Sequence, residues 1–164
     1  MKNLCAFFLL LCVLSGCDQP AGPRIDSPPE GTLPDTLPLP EPVGLQGPVR
    51  TAVADWEAFT ALEERIASLY NAQGPEEMKL KLEELTADFQ ALEESEFPEL
   101  FNIPSVRSRE RVVRTFLLKT QAALYYRRDY RPALRQFLEA YNAFRSQLNR
   151  VESSQLDPSL FDED

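Results

Sequence analysis

The sequence predicts an all-α protein, an antiparallel four-helix bundle-like domain over residues 49–151 behind a disordered proline-rich linker. Three observations lead there. Apolar residues recur at three- and four-residue steps in four successive stretches between Thr51 and Val151. The breaks between them are short, which sets neighbouring helices antiparallel. No stretch keeps the apolar–polar alternation of a half-buried strand.

The chain opens with Met1-Lys2-Asn3, then runs from Leu4 to Leu14 without a polar side chain before Ser15-Gly16-Cys17. Those 11 residues fall well short of the roughly 20 needed to span a bilayer. A positive start, a short apolar core and a small-residue exit form the layout of a secretory signal over residues 1–16. With a cysteine directly after the small pair, Leu14-Ser15-Gly16-Cys17 resembles the lipobox of bacterial lipoproteins. That resemblance implies that Cys17 carries diacylglyceryl and amide-linked acyl chains, with cleavage just before it. The protein would then be held on the periplasmic side of an envelope membrane, since diacylglyceryl and amide-linked acyl chains together exceed the roughly two signals needed for stable attachment. By similarity to enterobacterial sorting, Asp18 favours the inner membrane over the outer.

Removal of the signal discards Cys5 and Cys12, and lipid consumes Cys17, so no thiol remains for a disulfide. Histidine is absent, which removes the usual general base, a common metal ligand and the near-neutral pH switch. A formal charge of −9 lacks the basic footprint of a nucleic-acid binder.

Residues 18–48 hold nine of the 14 prolines together with Gly22, Gly31, Gly44 and Gly47. Missing backbone donors and a high ordering entropy disfavour helix and sheet here. The stretch reads as a spacer, with a packed loop as the alternative.

The first helix starts near Thr51 and buries Val53, Trp56, Phe59, Leu62, Ile66, Leu69 and Tyr70. Gly74-Pro75 ends it and starts the second, which runs to about Glu94 with Met78, Leu82, Leu85, Phe89 and Leu92 inside. Its near-heptad spacing suits a short coiled-coil-like seam in a small bundle. Phe97-Pro98 to Ile103-Pro104 forms an apolar plug across the bundle end. Ser105 is a candidate cap for the third helix, to about Arg128, with Val106, Val113, Leu117, Thr120 and Leu124 inward. The fourth, Tyr130 to about Val151, buries Tyr130, Leu134, Phe137, Tyr141, Phe144 and Leu148. An acidic tail, 152–164, follows.

Tyr130, Ala133, Phe137 and Ala140 match the second half of the tetratricopeptide pattern, and the last two helices resemble one such repeat. Small alanines there let two helices approach around an aromatic wedge. The first half departs, offering Leu117, Thr120 and Gln121, and Arg128 stands where a glycine is usual before Asp129. A plain packed hairpin accounts for the same residues.

Charge divides unevenly. Residues 50–100 carry four bases and 13 acids, whereas residues 107–150 carry 11 bases and three acids. A helical wheel puts Arg107, Arg111, Arg114, Leu118 and Tyr125 on one face of the third helix, away from the apolar centre. Arginines around an exposed leucine and tyrosine suit an interface patch; a solvated basic face is the alternative. Arg109 falls near the buried stripe, where its guanidinium would need an internal ion pair or a captured anion. Adjacent acids such as Glu63-Glu64, Glu83-Glu84 and Glu93-Glu94 point about 100° apart and read as solvated faces rather than metal sites. Tyr125-Tyr126-Arg127-Arg128-Asp129-Tyr130 could stack on a sugar.

The expected function is therefore a membrane-anchored lipoprotein whose helical domain serves as an interaction module or accessory subunit for an envelope protein. The expectation includes no catalysis, no cofactor, no metal and no nucleic acid. Binding of envelope glycan or a small ligand at the tyrosine–arginine turn is the rival.

Overall fold

The computed structural model describes residues 38–155. The expected signal peptide, the Cys17 lipidation site, residues 18–37 of the linker and the last part of the tail (156–164) lie outside the described residues. The helices are α1 (Gly47–Ala52), α2 (Glu57–Leu69), α3 (Gly74–Glu94), α4 (Pro104–Tyr125) and α5 (Arg131–Ser153), with a 3-10 turn at Glu99–Phe101. There is no strand among the described residues. The protein is all-α and bundle-like.

Proline marks the starts. It occupies one of the first two positions of α1, α3, α4 and α5, where a missing N–H is harmless and the fixed φ is already helical. Ser105 does not cap α4. Ile103 holds that place in extended backbone, and Pro104 supplies the start signal instead. Gly74, at φ +87°, takes the left-handed conformation between α2 and α3 that a side chain would resist. Glu77 then accepts the Gln73 backbone N–H at 2.8 Å and secures the new helix start.

The first helix differs from the expected continuous one. It breaks after Ala52 and restarts at Glu57. The cause is Trp56, whose ring stacks on Phe59 at 5.2 Å and tilts against Phe97 at 4.4 Å. Its indole N–H donates to the Ser95 hydroxyl at 2.8 Å. Seating that ring at the end of α3 requires a non-helical backbone at Trp56, with ψ at 80°.

Cross-helix contacts fix an antiparallel arrangement. Trp56 meets Ser95 at one end of the α2–α3 pair, and Arg65 meets Glu84 and Asp88 farther along. Gln121 donates to the Leu82 carbonyl and Thr86, while Arg114 reaches Glu93, so α3 and α4 are antiparallel. Lys119 meets Gln136, and Gln147 meets Ser105, across α4 and α5. Between α2 and α5, Tyr141 donates to Glu63 and Arg145 lies 3.4 Å from the same carboxylate.

Phe59, Phe89, Phe101, Phe137 and Phe144 are fully buried at the centre. Each ring removed from water contributes on the order of 2–3 kcal/mol. Phe97 and Phe101 close one end of the bundle from the connection between α3 and α4. Ala133 and Ala140 are buried in α5 on the same side as Phe137.

Leu39 already packs against the core, ten residues before the expected boundary at Val49. Residues 38–46 form a strap laid along α5. Arg135 donates to the Pro38 carbonyl at 2.5 Å, and Tyr70 donates to the Pro40 carbonyl at 2.7 Å. Asn142 accepts from the Val43 N–H and donates to the Glu41 carbonyl, each near 2.9 Å. One heptad on, Asn149 accepts from the Gln46 N–H and donates to the Gly44 carbonyl, both at 2.9 Å. Strap and helix run in the same direction. Pro38 to Gln46 in extended form spans roughly 26 Å, close to the roughly 27 Å that α5 climbs from Arg135 to Ser153. The packed-loop alternative therefore holds for the last part of residues 18–48. The proline-rich composition explains why. Prolines 38, 40 and 42 need no donors satisfied, and the side-chain amides serve the groups between them.

Candidate functional site

The outer face of α4 carries the residues expected to share it. Leu118 is 47% exposed and Tyr125 75% exposed; Leu80 of α3 and Val112 of α4 are exposed large apolar side chains too. Ala122, one turn between them, is also exposed. Three of the turns of α4 thus present an apolar ridge at i, i+4 and i+7.

The arginines of that face are more engaged than the wheel implied. The Arg107 guanidinium lies 3.4 Å from the centre of the Phe97 ring and donates to Asn102 at 3.3 Å. Arg114 reaches the Glu93 carboxylate of α3 at 2.9 Å. Arg111 is exposed, and its charge acts on nearby Glu110. Two of the three arginines therefore tie α4 to its neighbours, leaving the apolar ridge as the open part of the patch.

Arg109 is not near the buried stripe; it is exposed. The inward position belongs to Glu110, which is 3% exposed. Its Oε2 stands 3.9 Å from Arg107, and its Oε1 is buried without a hydrogen-bond partner. Burial, then the neighbouring Glu93 carboxylate, raises its pKa, with Arg107 and Arg111 opposing. The physical reason for the exchange is that a carboxyl can enter a core by keeping its proton, whereas a guanidinium stays charged. The two residues flank the apolar stripe at about the same angle on opposite sides, so the wheel by itself does not choose between them.

The acid pairs divide. Glu64, Glu83 and Glu94 face water, as expected of a solvated face. Glu63 does not: it takes the Tyr141 hydroxyl and Arg145 between α2 and α5. The Tyr141 phenol is held well above its ordinary pKa by burial and then by the Glu63 charge. Glu84 and Glu93 serve arginines of neighbouring helices. Among the described residues no group of three acids or cysteines is placed to hold a metal ion.

The tyrosine–arginine turn lies at the end of the bundle where the strap begins. Tyr125 and Tyr126 meet edge to face at 5.1 Å, with Tyr126 65% exposed. The α4 exit is a Schellman turn: Arg128 N–H donates to the Ala123 carbonyl at 2.8 Å and Arg127 N–H to Leu124 at 3.0 Å. Arg127 occupies its left-handed position, at φ +53°, where glycine is usual. It is the only described residue other than glycine with a positive φ. The Arg128 guanidinium lies 5.8 Å from the Tyr126 ring.

Sequence reasoning missed Glu110, the left-handed Arg127 and the two strap asparagines. Asn142 and Asn149 carried a usable signal, two amides one heptad apart on α5 beside the apolar stripe. Nothing marked Glu63 apart from Glu64.

The fold and this surface define a class: an all-α helical bundle with a strap and an open apolar ridge. No family model matches the chain, and neither a curated protein nor a solved structure matches it. Among the described residues no helix is long and apolar enough to cross a membrane.

Proposed function

We propose that this chain is a lipid-anchored envelope protein whose helical domain acts as a protein-interaction module or accessory subunit. The anchor is assigned to Cys17 on the lipobox resemblance. The 20 residues from Asp18 to Leu37 can reach at most roughly 70 Å when extended, enough to hold the domain beside a second envelope protein. No catalytic role, cofactor or metal is assigned. The reading is carried by one observation, the open Leu118–Ala122–Tyr125 ridge on α4. A solvated basic helix has no use for that ridge, although isolated apolar residues on a surface are common. Burial of the ridge would supply affinity, at about 25 cal/mol per Å² before association costs. Arg111 would steer an acidic partner and make association salt-sensitive.

The test is capture from cross-linked envelopes with the wild-type chain and with Leu118→Glu. The substitution is expected to abolish capture while helicity and Tm stay nearly unchanged, because Leu118 supports no core contact. Unchanged capture would remove the ridge from the function. Retention of both proteins on cell-wall material would instead favour glycan binding.

A further inference from the structure

The strap places Pro38 at one end of the bundle. The chain enters the fold at Pro38, held by Arg135 in the first turns of α5, and Tyr70 at the end of α2 grips the next carbonyl along, that of Pro40. That end carries the α2–α3 and α4–α5 turns, and with them Tyr125, Tyr126, Arg127 and Arg128, all four exposed. The opposite end, closed by Phe97 and Phe101, lies a full bundle length away. The tyrosine–arginine turn therefore lies at the same end of the bundle as Pro38, the first described residue.

The chemistry of that turn is uncommon for idle surface. Arg127 keeps a left-handed backbone that glycine would adopt with less strain, yet the position displays a cation. Two exposed tyrosines precede it in the chain and meet edge to face. Amphipathic rings with arginines at their margin suit the headgroup layer of a membrane, where the ring body is half dry and the hydroxyl wet. Asp129 is turned to the Arg131 backbone N–H at 3.1 Å, and Glu76 of the neighbouring turn lies close to Tyr130.

We infer that the Tyr125–Arg128 turn seats on the anionic lipid headgroups of the membrane that anchors the chain, docking the domain by its strap end. This rests on the anchored reading above, and its test is separable from that reading.

Cys17 is the only thiol in residues 17–164, so a chain starting at Cys17 can be coupled to a maleimide lipid in vesicles. Every described residue is retained. Hydroxyl-radical footprinting then reads the oxidation of Tyr125 and Tyr126 on phosphatidylcholine vesicles and on vesicles containing phosphatidylglycerol. Several-fold protection is expected only on the anionic vesicles. High salt should reverse it, as should the double variant Arg127→Gly, Arg128→Ser. At about 1 kcal/mol for each arginine near the surface, losing both weakens seating by more than tenfold. Leu118→Glu should leave the protection in place. Equal oxidation on both vesicles, or protection that survives the double variant, would overturn the proposal. Failure of fatty-acid labelling at Cys17 in cells would instead refute the anchor and leave the footprint untouched.

Discussion

At the residue scale, Arg127 and Glu110 each occupy a position that their chemistry makes expensive. Arg127 sits left-handed at a helix exit. Arg127→Gly is expected to raise stability by about 1 kcal/mol, seen as a higher denaturant midpoint at unchanged slope. A loss of stability would mean that the arginine makes a contact outweighing the strain. Glu110 behaves differently because its cost depends on protonation. Its folded pKa is raised, chiefly by burial and then by Glu93. The folded state therefore holds a proton that the unfolded chain has released. That contribution is complete below the ordinary carboxylate range and is lost as pH rises through the folded value. Glu110→Gln should flatten this part of the stability–pH curve and be neutral or stabilising near neutrality. A steeper fall with pH in the variant would contradict it.

At the element scale, the strap and the plug explain how a small bundle keeps its order. Asn142 and Asn149 each satisfy one N–H and one carbonyl of the strap, recognising backbone rather than side chains. Asn142→Ala with Asn149→Ala is expected to lower stability by about 2 kcal/mol. Limited proteolysis should then cut within residues 38–46, a stretch expected to resist cleavage in the wild type. An unchanged cleavage map would show that Leu39 and Leu45 hold the strap without the amides. Phe101 seals the opposite end without exposure. Phe101→Ala should remove about 3–5 kcal/mol through lost burial and the cavity left behind.

At the scale of the whole molecule, the proposed role depends on attachment as much as on the domain. Cys17→Ser is expected to stop incorporation of radiolabelled fatty acid and release the protein from acyl anchoring. Label persisting in the variant would refute the lipobox reading. The uneven charge has an internal use as well. Arg114 of the basic half reaches Glu93 of the acidic half. Arg145 likewise reaches Glu63 across the two halves, whereas Arg65 pairs with Glu84 and Asp88 within the acidic one. The pairing is mostly exposed and contributes little to stability by itself. Arg127 and Arg128 of the Tyr125–Arg128 turn stay exposed.

The sequence by itself determined the helices, because apolar spacing and proline starts are local properties of the chain. It also determined that Leu118 and Tyr125 lie outside, since a wheel separates faces more than 100° apart. Tertiary structure alone decided three things. Trp56 broke a continuous apolar pattern because its ring fits beside Phe97 and Ser95, residues some 40 positions away. Glu110 rather than Arg109 went inside, although the two flank the stripe at about the same angle on opposite sides and the wheel by itself does not choose between them. The last third of a proline-rich segment became a packed strap because its backbone groups found partners about 100 residues on, at Asn142 and Asn149. Local propensity reports what a segment cannot form by itself; whether a distant side chain satisfies its backbone is settled only when the bundle is assembled.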